Sequence, residues 1–160
     1  MDEFLATFTN RLDSKGRVSI PAAFRAVLAR DGYEGLYCCP TLDAQAVDAG
    51  GNRLREMIRA NLARFEPFSA DYEDLSTTFN GESEVLRIDA DGRVILSEGI
   101  KARTGIADEV TFVGQGYKFQ IWEPQRFGVY REEARNRVRL LRQAPGAGRR
   151  PTGGQTGGGA

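Results

Sequence analysis

Two short segments near the start of the chain, residues 7–12 and 17–20, are predicted to form strands, and in the second the apolar Val18 and Ile20 alternate with polar residues. Residues 13–16 lie between them, begin with Asp and end with Gly, and have the composition of a tight turn. Apolar side chains then recur at helical spacing over residues 22–30, and Gly32 ends this pattern. The first part of the chain is therefore predicted to form a strand, a turn, a strand and a helix.

The same order of elements returns later in the chain. Strands are predicted at residues 85–88 and 93–96 around a turn at 89–92, followed by a helix at 98–104. Each unit continues with two further strands, at 36–39 and 44–48 in the first unit and at 109–113 and 117–123 in the second. The segment RLDSKGRV at 11–18 matches RIDADGRV at 87–94, a displacement of 89 − 13 = 76 residues. The chain is therefore predicted to contain two copies of one unit.

A longer amphipathic helix is predicted after each unit, at residues 52–65 and 125–142. The acidic, Pro-containing stretch that begins at Glu66 indicates a connecting loop, and the Gly-rich end of the chain has too few apolar residues to form a core. The predicted fold class is mainly β with flanking helices, an α+β fold. The predicted organisation is a first domain at 1–66, a connecting loop at 67–80, a second domain at 81–143 and a disordered tail at 144–160.

Composition narrows the classes of function. The 160 residues are 41% hydrophobic and 28% charged, and no apolar run approaches the roughly 20 residues that span a bilayer. The first residues lack the features of a secretory signal, so a cytoplasmic location is expected. The chain has no histidine and no Cys-x-x-Cys, which removes the usual zinc spacings and the commonest general base. We expect neither an enzyme nor a cofactor or metal.

Adjacent Cys38 and Cys39 on one strand are predicted to be structural thiols, because their side chains point to opposite faces.

The candidate chemistry lies in the two predicted hairpin turns. Because the formal net charge is zero, any contact with nucleic acid must come from local basic clusters. In each turn an Asp precedes an Arg by four residues, so the carboxylate is placed to orient a guanidinium towards phosphate or a guanine edge. The alternative is an ion pair that only stabilises the turn, by ~0.2–1 kcal/mol. The candidate DNA-binding residues are Arg11, Asp13, Lys15, Arg17, Arg87, Asp89 and Arg93.

The segment LDSKGRVSIP at 12–21, followed by a short helix and repeated as IDADGRV at 88–94, resembles the bacterial MraZ family over roughly residues 4–142. The family signature Asp-x-x-x-Arg, once per half, falls on Asp13 with Arg17 and on Asp89 with Arg93. One departure is Asp91, which adds a negative charge where the first turn has Lys15. We therefore expect the first loop to be the main DNA contact.

The resemblance implies a fold, a function and partners. The fold would be two AbrB-like swapped-hairpin units, of the double-psi β-barrel kind, and the subunits would form a homo-oligomeric ring with the arginine loops on double-stranded DNA. The implied function is a nucleoid-associated transcriptional regulator, typically a repressor of its own operon for cell division and cell-wall synthesis. Its operator would be a series of short direct repeats.

Other interpretations remain open from the residues alone. Two Asp residues in duplicated halves resemble an aspartic protease dyad, but the cations around Asp13 would lower its pKa and prevent the acid role. An AbrB-like antitoxin or assembly scaffold without specific DNA binding is the main alternative function. Arginines at 131, 135, 139 and 142 form either a second DNA patch or a solvated helix face. Aromatic residues at 117, 119 and 122 form either a base-stacking surface or, as the hairpin pattern favours, part of the core.

Overall fold

The computed structural model describes residues 2–143, and the predicted tail at 144–160 lies outside them. The predicted strands and helices occur in the predicted order, with one further helix between them, and the predicted α+β class is confirmed. The strands are β1 (Thr7–Arg11), β2 (Arg17–Ser19), β3 (Leu36–Pro40), β4 (Val47–Gly50), β5 (Glu84–Leu86), β6 (Arg93–Ile95), β7 (Glu109–Gly114) and β8 (Phe119–Trp122). The helices are α1 (Ala22–Asp31), α2 (Asn52–Leu62), α3 (Ala70–Ser76), α4 (Glu98–Thr104) and α5 (Pro124–Gln143), with a π-helical turn at Thr77–Gly81.

Strands from both sequence repeats take part in the same sheets. Six strands form an antiparallel sheet in the order β1-β7-β8-β4-β3-β5, and β2 pairs with β6 in a separate two-stranded ladder. In the larger sheet Thr7 of β1 pairs with Val113 of β7, and Leu36 of β3 pairs with Leu86 of β5. Residues 2–127 form one compact unit, and the described residues 128–143 belong to another. The strands of the first and second predicted domains therefore belong to one compact unit.

The main core is built from the inward positions of the strands and from α1. Phe24 of α1 is fully buried, and its ring contacts those of Phe4, Phe8 and Phe119 at centroid distances of 5.3, 5.3 and 4.9 Å. Such aromatic pairs add about 0.5–1.5 kcal/mol to the stabilisation from burial alone. The core fixes the position of α1. This helix carries Arg25, whose guanidinium contacts the second hairpin loop.

Strand β3 is buried on both faces and separates two hydrophobic clusters. Cys38 packs in the main cluster, whereas Cys39 packs with Tyr37, Leu54 and other residues of a second cluster against α2. Both thiols are free, as predicted from the alternation of side chains along a strand. Burial raises the pKa of both thiols, that of Cys39 to about 11. They are therefore protonated at neutral pH, which agrees with a structural role.

The prediction of a connecting loop at 67–80 was wrong, because this segment contains α3 and the π-helical turn. The Ser69 side chain caps α3 by accepting a hydrogen bond of 3.1 Å from the backbone N–H of Tyr72. Tyr72, Leu75 and Phe79 then pack against the second cluster. The Pro and acidic residues concealed this helical spacing, although acidic residues in a first turn favour a helix.

Several boundaries also differ from the prediction. The strand predicted at 44–48 is β4 at Val47–Gly50, and the helix predicted at 52–65 ends at Leu62. The strand predicted at 85–88 ends at Leu86, and that predicted at 117–123 is β8 at Phe119–Trp122. The later start of β4 reflects a local turn, which is closed by the bond of 3.2 Å from Thr41 N to Ala46 O. In the described part of the chain, no helix is both long and apolar enough to cross a membrane.

Candidate nucleic-acid interface

The first hairpin loop is held together by the carboxylate of Asp13. Its Oδ1 accepts hydrogen bonds from the backbone N–H groups of Lys15, at 2.8 Å, and Arg17, at 2.9 Å. Its Oδ2 accepts a bond of 2.7 Å from Arg17 Nε. Backbone bonds from Asp13 N to Arg17 O and from Gly16 N to Asp13 O close the turn. One carboxylate therefore fixes both the loop backbone and the direction of the arginine.

The second loop repeats this arrangement. Asp89 Oδ1 accepts from the backbone N–H groups of Asp91 and Arg93, each at 2.9 Å, and Oδ2 accepts from Arg93 Nε at 3.0 Å. Side-chain exposure is the same in both loops, 28% for the arginine and 34% for the aspartate. The contact between aspartate and arginine that the spacing indicated is thus present in both loops, and it is compatible with an orienting role as well as with a turn-stabilising ion pair.

Both turns require a glycine at their last position. Gly16 has φ +78° and Gly92 has φ +77°, in the left-handed region that L side chains adopt only with strain. This backbone conformation turns the chain so that the following arginine lies beside the aspartate. The Asp-x-x-Gly-Arg spacing is therefore a consequence of the turn geometry.

The environment lowers the pKa of both carboxyl groups. For Asp13 the main cause is the hydrogen bond from the Arg17 backbone N–H, and the Arg17 guanidinium adds to the effect. For Asp89 the main cause is the equivalent bond from Arg93. Each carboxylate is therefore ionised near neutral pH and bound to its own arginine, which excludes a pair of aspartates that share a proton. The geometry gives no support to an aspartic protease site.

The two arginines share one face of the β2–β6 ladder. Arg17 lies opposite Ile95 and Ser19 opposite Arg93, while Val18 and Val94 form the central pair. The two valines are buried at 0% and 1% exposure. Because side chains alternate along a strand, Arg17 and Arg93 project on the opposite, outer face of the ladder. The fold therefore brings together two arginine loops that are 76 residues apart in sequence.

A helix from the opposite repeat adds a cation near each loop. Arg25 of α1 donates a hydrogen bond of 3.2 Å to the backbone carbonyl of Asp91 in the second loop. Lys101 of α4 places its Nζ atom 4.0 Å from the position that a β-carbon on Gly16 would occupy. Sequence reasoning missed both residues. They are related by the same 76-residue displacement as the loops, and this signal was present in the sequence.

The other predicted site residues lie at the ends of the hairpins. Arg11 is exposed at the end of β1, where its backbone pairs with Glu109. Lys15 is exposed in the first turn, and Arg87 is exposed just after β5. Within residues 2–143, neither Arg11 nor Arg87 donates a hydrogen bond to an aspartate, in contrast to Arg17 and Arg93. These two arginines flank the loops without being held like Arg17 and Arg93.

The two loops differ in their charge and in the donors they leave available. Residues 11–17 carry three cations and one carboxylate, whereas residues 87–93 carry two of each. In the second loop Arg93 Nη2 also donates to Asp91 Oδ2 at 3.1 Å. Among the residues that the structure describes, Arg17 has no second acceptor, and its two terminal nitrogens are not hydrogen-bonded. The first loop is therefore the stronger candidate for binding an anion or a base edge.

Other candidate features are placed as follows. Phe119 and Trp122 are buried, so the prediction that they belong to the core is confirmed, and Tyr117 packs beside the second cluster. The arginines at 131, 135, 139 and 142 are exposed on α5. Within residues 2–143, no group of three or more Cys, Asp or Glu side chains is arranged to hold a metal ion.

Comparison with known proteins gives consistent results over most of the chain. The family model described as "MraZ protein, putative antitoxin-like" matches residues 78–141. A protein named "Transcriptional regulator MraZ" from Beijerinckia indica subsp. indica is 60% identical over 143 residues, which cover 89% of this chain and 87% of that protein. Proteins with the same name from Xanthobacter autotrophicus and Rhizobium johnstonii are 55% and 41% identical. They align with 92% and 88% of this chain, and with 94% and 97% of their own lengths.

Proposed function

The chain belongs to the MraZ family, whose named members are transcriptional regulators, and from this we propose that it binds double-stranded DNA sequence-specifically through its two hairpin loops. The observation that carries the proposal is the Asp13–Arg17 contact, repeated at Asp89 and Arg93. A guanidinium held at Nε presents its terminal nitrogens as a planar fork that matches guanine O6 and N7 or two phosphate oxygens. Because the carboxylate fixes the fork beforehand, binding loses less side-chain entropy.

The first loop is the main contact in this proposal. It has an excess of two positive charges and an arginine whose terminal donors are available. In the second loop, Asp91 accepts one of the Arg93 donors, and its negative charge opposes an approaching phosphate. Arg25 and Lys101 supply further cations beside the loops. The second loop therefore contributes less to DNA binding than the first.

The proposed operator is a series of short direct repeats upstream of the protein's own gene, and the binding species is a homo-oligomeric ring. A ring presents the same loop at regular intervals. When one subunit binds a repeat, it holds the loop of the neighbouring subunit close to the neighbouring repeat and so raises its effective concentration there. Weak single contacts then combine into tight binding. A ring bound at a promoter would block access of the transcription machinery. In this proposal the protein is a nucleoid-associated repressor, and the operon that it represses serves cell division and cell-wall synthesis.

Fluorescence anisotropy tests the proposal. The protein is titrated into labelled DNA from upstream of its own gene, into the same DNA with one repeat scrambled and into fully scrambled DNA, across a salt series. We expect binding to the intact DNA to be tightest, to weaken with each scrambled repeat and to fall steeply with salt, since each neutralised phosphate releases counterions. Equal affinity for intact and scrambled DNA at every salt concentration would contradict the proposal.

A protein-interaction module without specific DNA binding is the second candidate. It is favoured by apolar side chains exposed along the last helix, where Val129, Val138, Leu140 and Leu141 are 63%, 53%, 67% and 57% exposed. Val138 and Leu141 lie on one helix face, and a contiguous exposed apolar face is typical of an interface. Copurification of a defined stoichiometric partner, together with equal weak binding to all DNAs, would support this candidate.

A further inference from the structure

Ile95 is an exposed hydrophobic side chain on the outer face of the β2–β6 ladder. It is 59% exposed, and it lies directly opposite Arg17 in the antiparallel register. Directly opposed residues have β-carbons about 4.5–5.5 Å apart. An isoleucine thus stands beside the arginine that is the strongest candidate for contact with DNA.

The structure prevents Ile95 from turning inward. Val94, next to it, is 1% exposed and pairs with the fully buried Val18. A shift of β6 by one residue would turn Ile95 inward only by exposing the buried Val94, so the outer position of Ile95 is fixed by the core. The position equivalent to Ile95 in the first repeat is Ser19, 76 residues earlier. The outer face is therefore asymmetric, with isoleucine beside Arg17 and serine beside Arg93.

We propose that Ile95 determines specificity by packing against the 5-methyl group of a thymine next to the base pair that Arg17 reads. This inference rests on the proposed DNA-binding function. The β2–β6 ladder is a separate two-stranded sheet, and the major groove of B-DNA admits a two-stranded ribbon. Only thymine presents a methyl group in that groove, so an aliphatic side chain beside a guanidinium selects thymine at one position. The difference between Ile95 and Ser19 gives each subunit a fixed orientation on its repeat.

The charge around Ile95 favours DNA over a second copy of the chain as the occupant of this face. Arg17 and Arg93 lie on the same face as Ile95, and the Arg17 terminal nitrogens are available as donors. An isologous contact between two copies would bring these arginines against each other, because the same patch meets itself across a twofold axis. DNA is a polyanion that carries the thymine methyl group in its major groove. It therefore complements both the positive charge of the two arginines and the apolar side chain of Ile95.

The test removes the methyl group from the DNA and the aliphatic side chain from the protein. A series of DNAs is made, one for each thymine position of the repeat, and in each DNA deoxyuridine replaces thymine at that position in every repeat. Affinity for each DNA is measured for wild type, Ile95→Ser and Val85→Ser. Val85 is the matched control, since it is 54% exposed on β5 and lies outside the ladder. Burial of one methyl contributes about 0.8 kcal/mol, so wild type should lose about 4-fold in affinity for each bound repeat at one thymine position. Val85→Ser should show the same loss, and Ile95→Ser should show none.

Three results would overturn the proposal. The first is insensitivity of the wild type to deoxyuridine at every position, and the second is an Ile95→Ser variant that keeps the full methyl dependence. The third is loss of assembly in Ile95→Ser by mass photometry, which would identify Ile95 as a subunit contact. If instead the wild type does not distinguish the intact repeats from scrambled DNA, the proposed function itself fails.

Discussion

Arg17 donates from Nε to the Asp13 carboxylate at 2.7 Å, while the same carboxylate accepts the backbone N–H of Arg17 at 2.9 Å. The aspartate therefore binds its arginine at two points and fixes the side chain relative to the backbone that carries it. The arginine keeps its terminal nitrogens for a ligand. This contact is what distinguishes the loop from a turn with a solvated surface arginine.

Replacement of Asp13 by asparagine tests whether this orientation matters. The Asn amide cannot supply a second carboxylate oxygen to Arg17 Nε, so the arginine regains its freedom. Since ordering of one long side chain costs about 0.5–1.5 kcal/mol, operator affinity should fall about 2- to 10-fold. Asp74→Asn on the exposed surface of α3 is the control and should bind like wild type. Wild-type affinity in Asp13→Asn would show that the contact only stabilises the turn.

The lowered pKa of Asp13 and Asp89 predicts a pH dependence of the loops. Because the folded-state pKa lies below the usual 3.8, the stabilisation by each carboxylate is complete above that value and is lost as pH falls through the lower folded pKa. Loop structure should therefore be independent of pH from neutral to about 5. Carboxyl carbon NMR titration should give midpoints below 3.8 for both residues. A midpoint at or above this value would contradict the hydrogen-bond geometry.

The two turn glycines provide a matched pair of substitutions. An alanine at either Gly16 or Gly92 meets the same left-handed backbone, with an expected cost of about 1–2 kcal/mol. At Gly92 the new β-carbon would also clash with Arg25 Cδ, whereas at Gly16 the nearest atom is 4.0 Å away. Chemical denaturation should show a greater loss of stability for Gly92→Ala, because Arg25 must leave the Asp91 carbonyl. In an Arg25→Ala background the two glycine variants should lose equal stability, and a persistent difference would exclude Arg25 as its cause.

Two alanine substitutions compare the stability contributed by a buried phenylalanine ring with that contributed by an exposed one. Phe24→Ala removes a fully buried ring that contacts three other aromatic rings, and should reduce the free energy of unfolding by about 3–5 kcal/mol. Phe68, which is 93% exposed, should tolerate alanine within about 0.5 kcal/mol. Urea denaturation measures both values. A large loss of stability in Phe68→Ala would show that its ring is covered in the assembled protein.

Local patterns in the sequence predicted the elements and the hairpin geometry well. The helix α4 was predicted with its observed bounds, since Ser97 caps its start and Gly105 ends it. The Asp-to-Arg contact followed from the four-residue spacing across a tight turn. These features depend on interactions between residues close in sequence, and such interactions can be recognised from the sequence alone.

Non-local contacts explain what the sequence did not reveal. The pairing of β2 with β6 joins residues 74 to 78 positions apart, and no local pattern specifies the partner of a three-residue strand. For the same reason Arg25 was not recognised as a neighbour of the second loop. The helix α3 was missed because its apolar face is completed only by the second cluster, on the far side of β3. In each case tertiary packing determined the result.

The most direct test of the central claim compares Arg17→Ala with Arg93→Ala on operator and scrambled DNA, after mass photometry has shown that both variants assemble like wild type. Loss of a two-point guanidinium contact with a base costs about 1–3 kcal/mol, so Arg17→Ala should bind the operator about 5- to 150-fold more weakly and lose its preference over scrambled DNA. Arg93→Ala should retain most of that preference, because Asp91 already accepts one of its donors. Wild-type preference in Arg17→Ala would contradict the account.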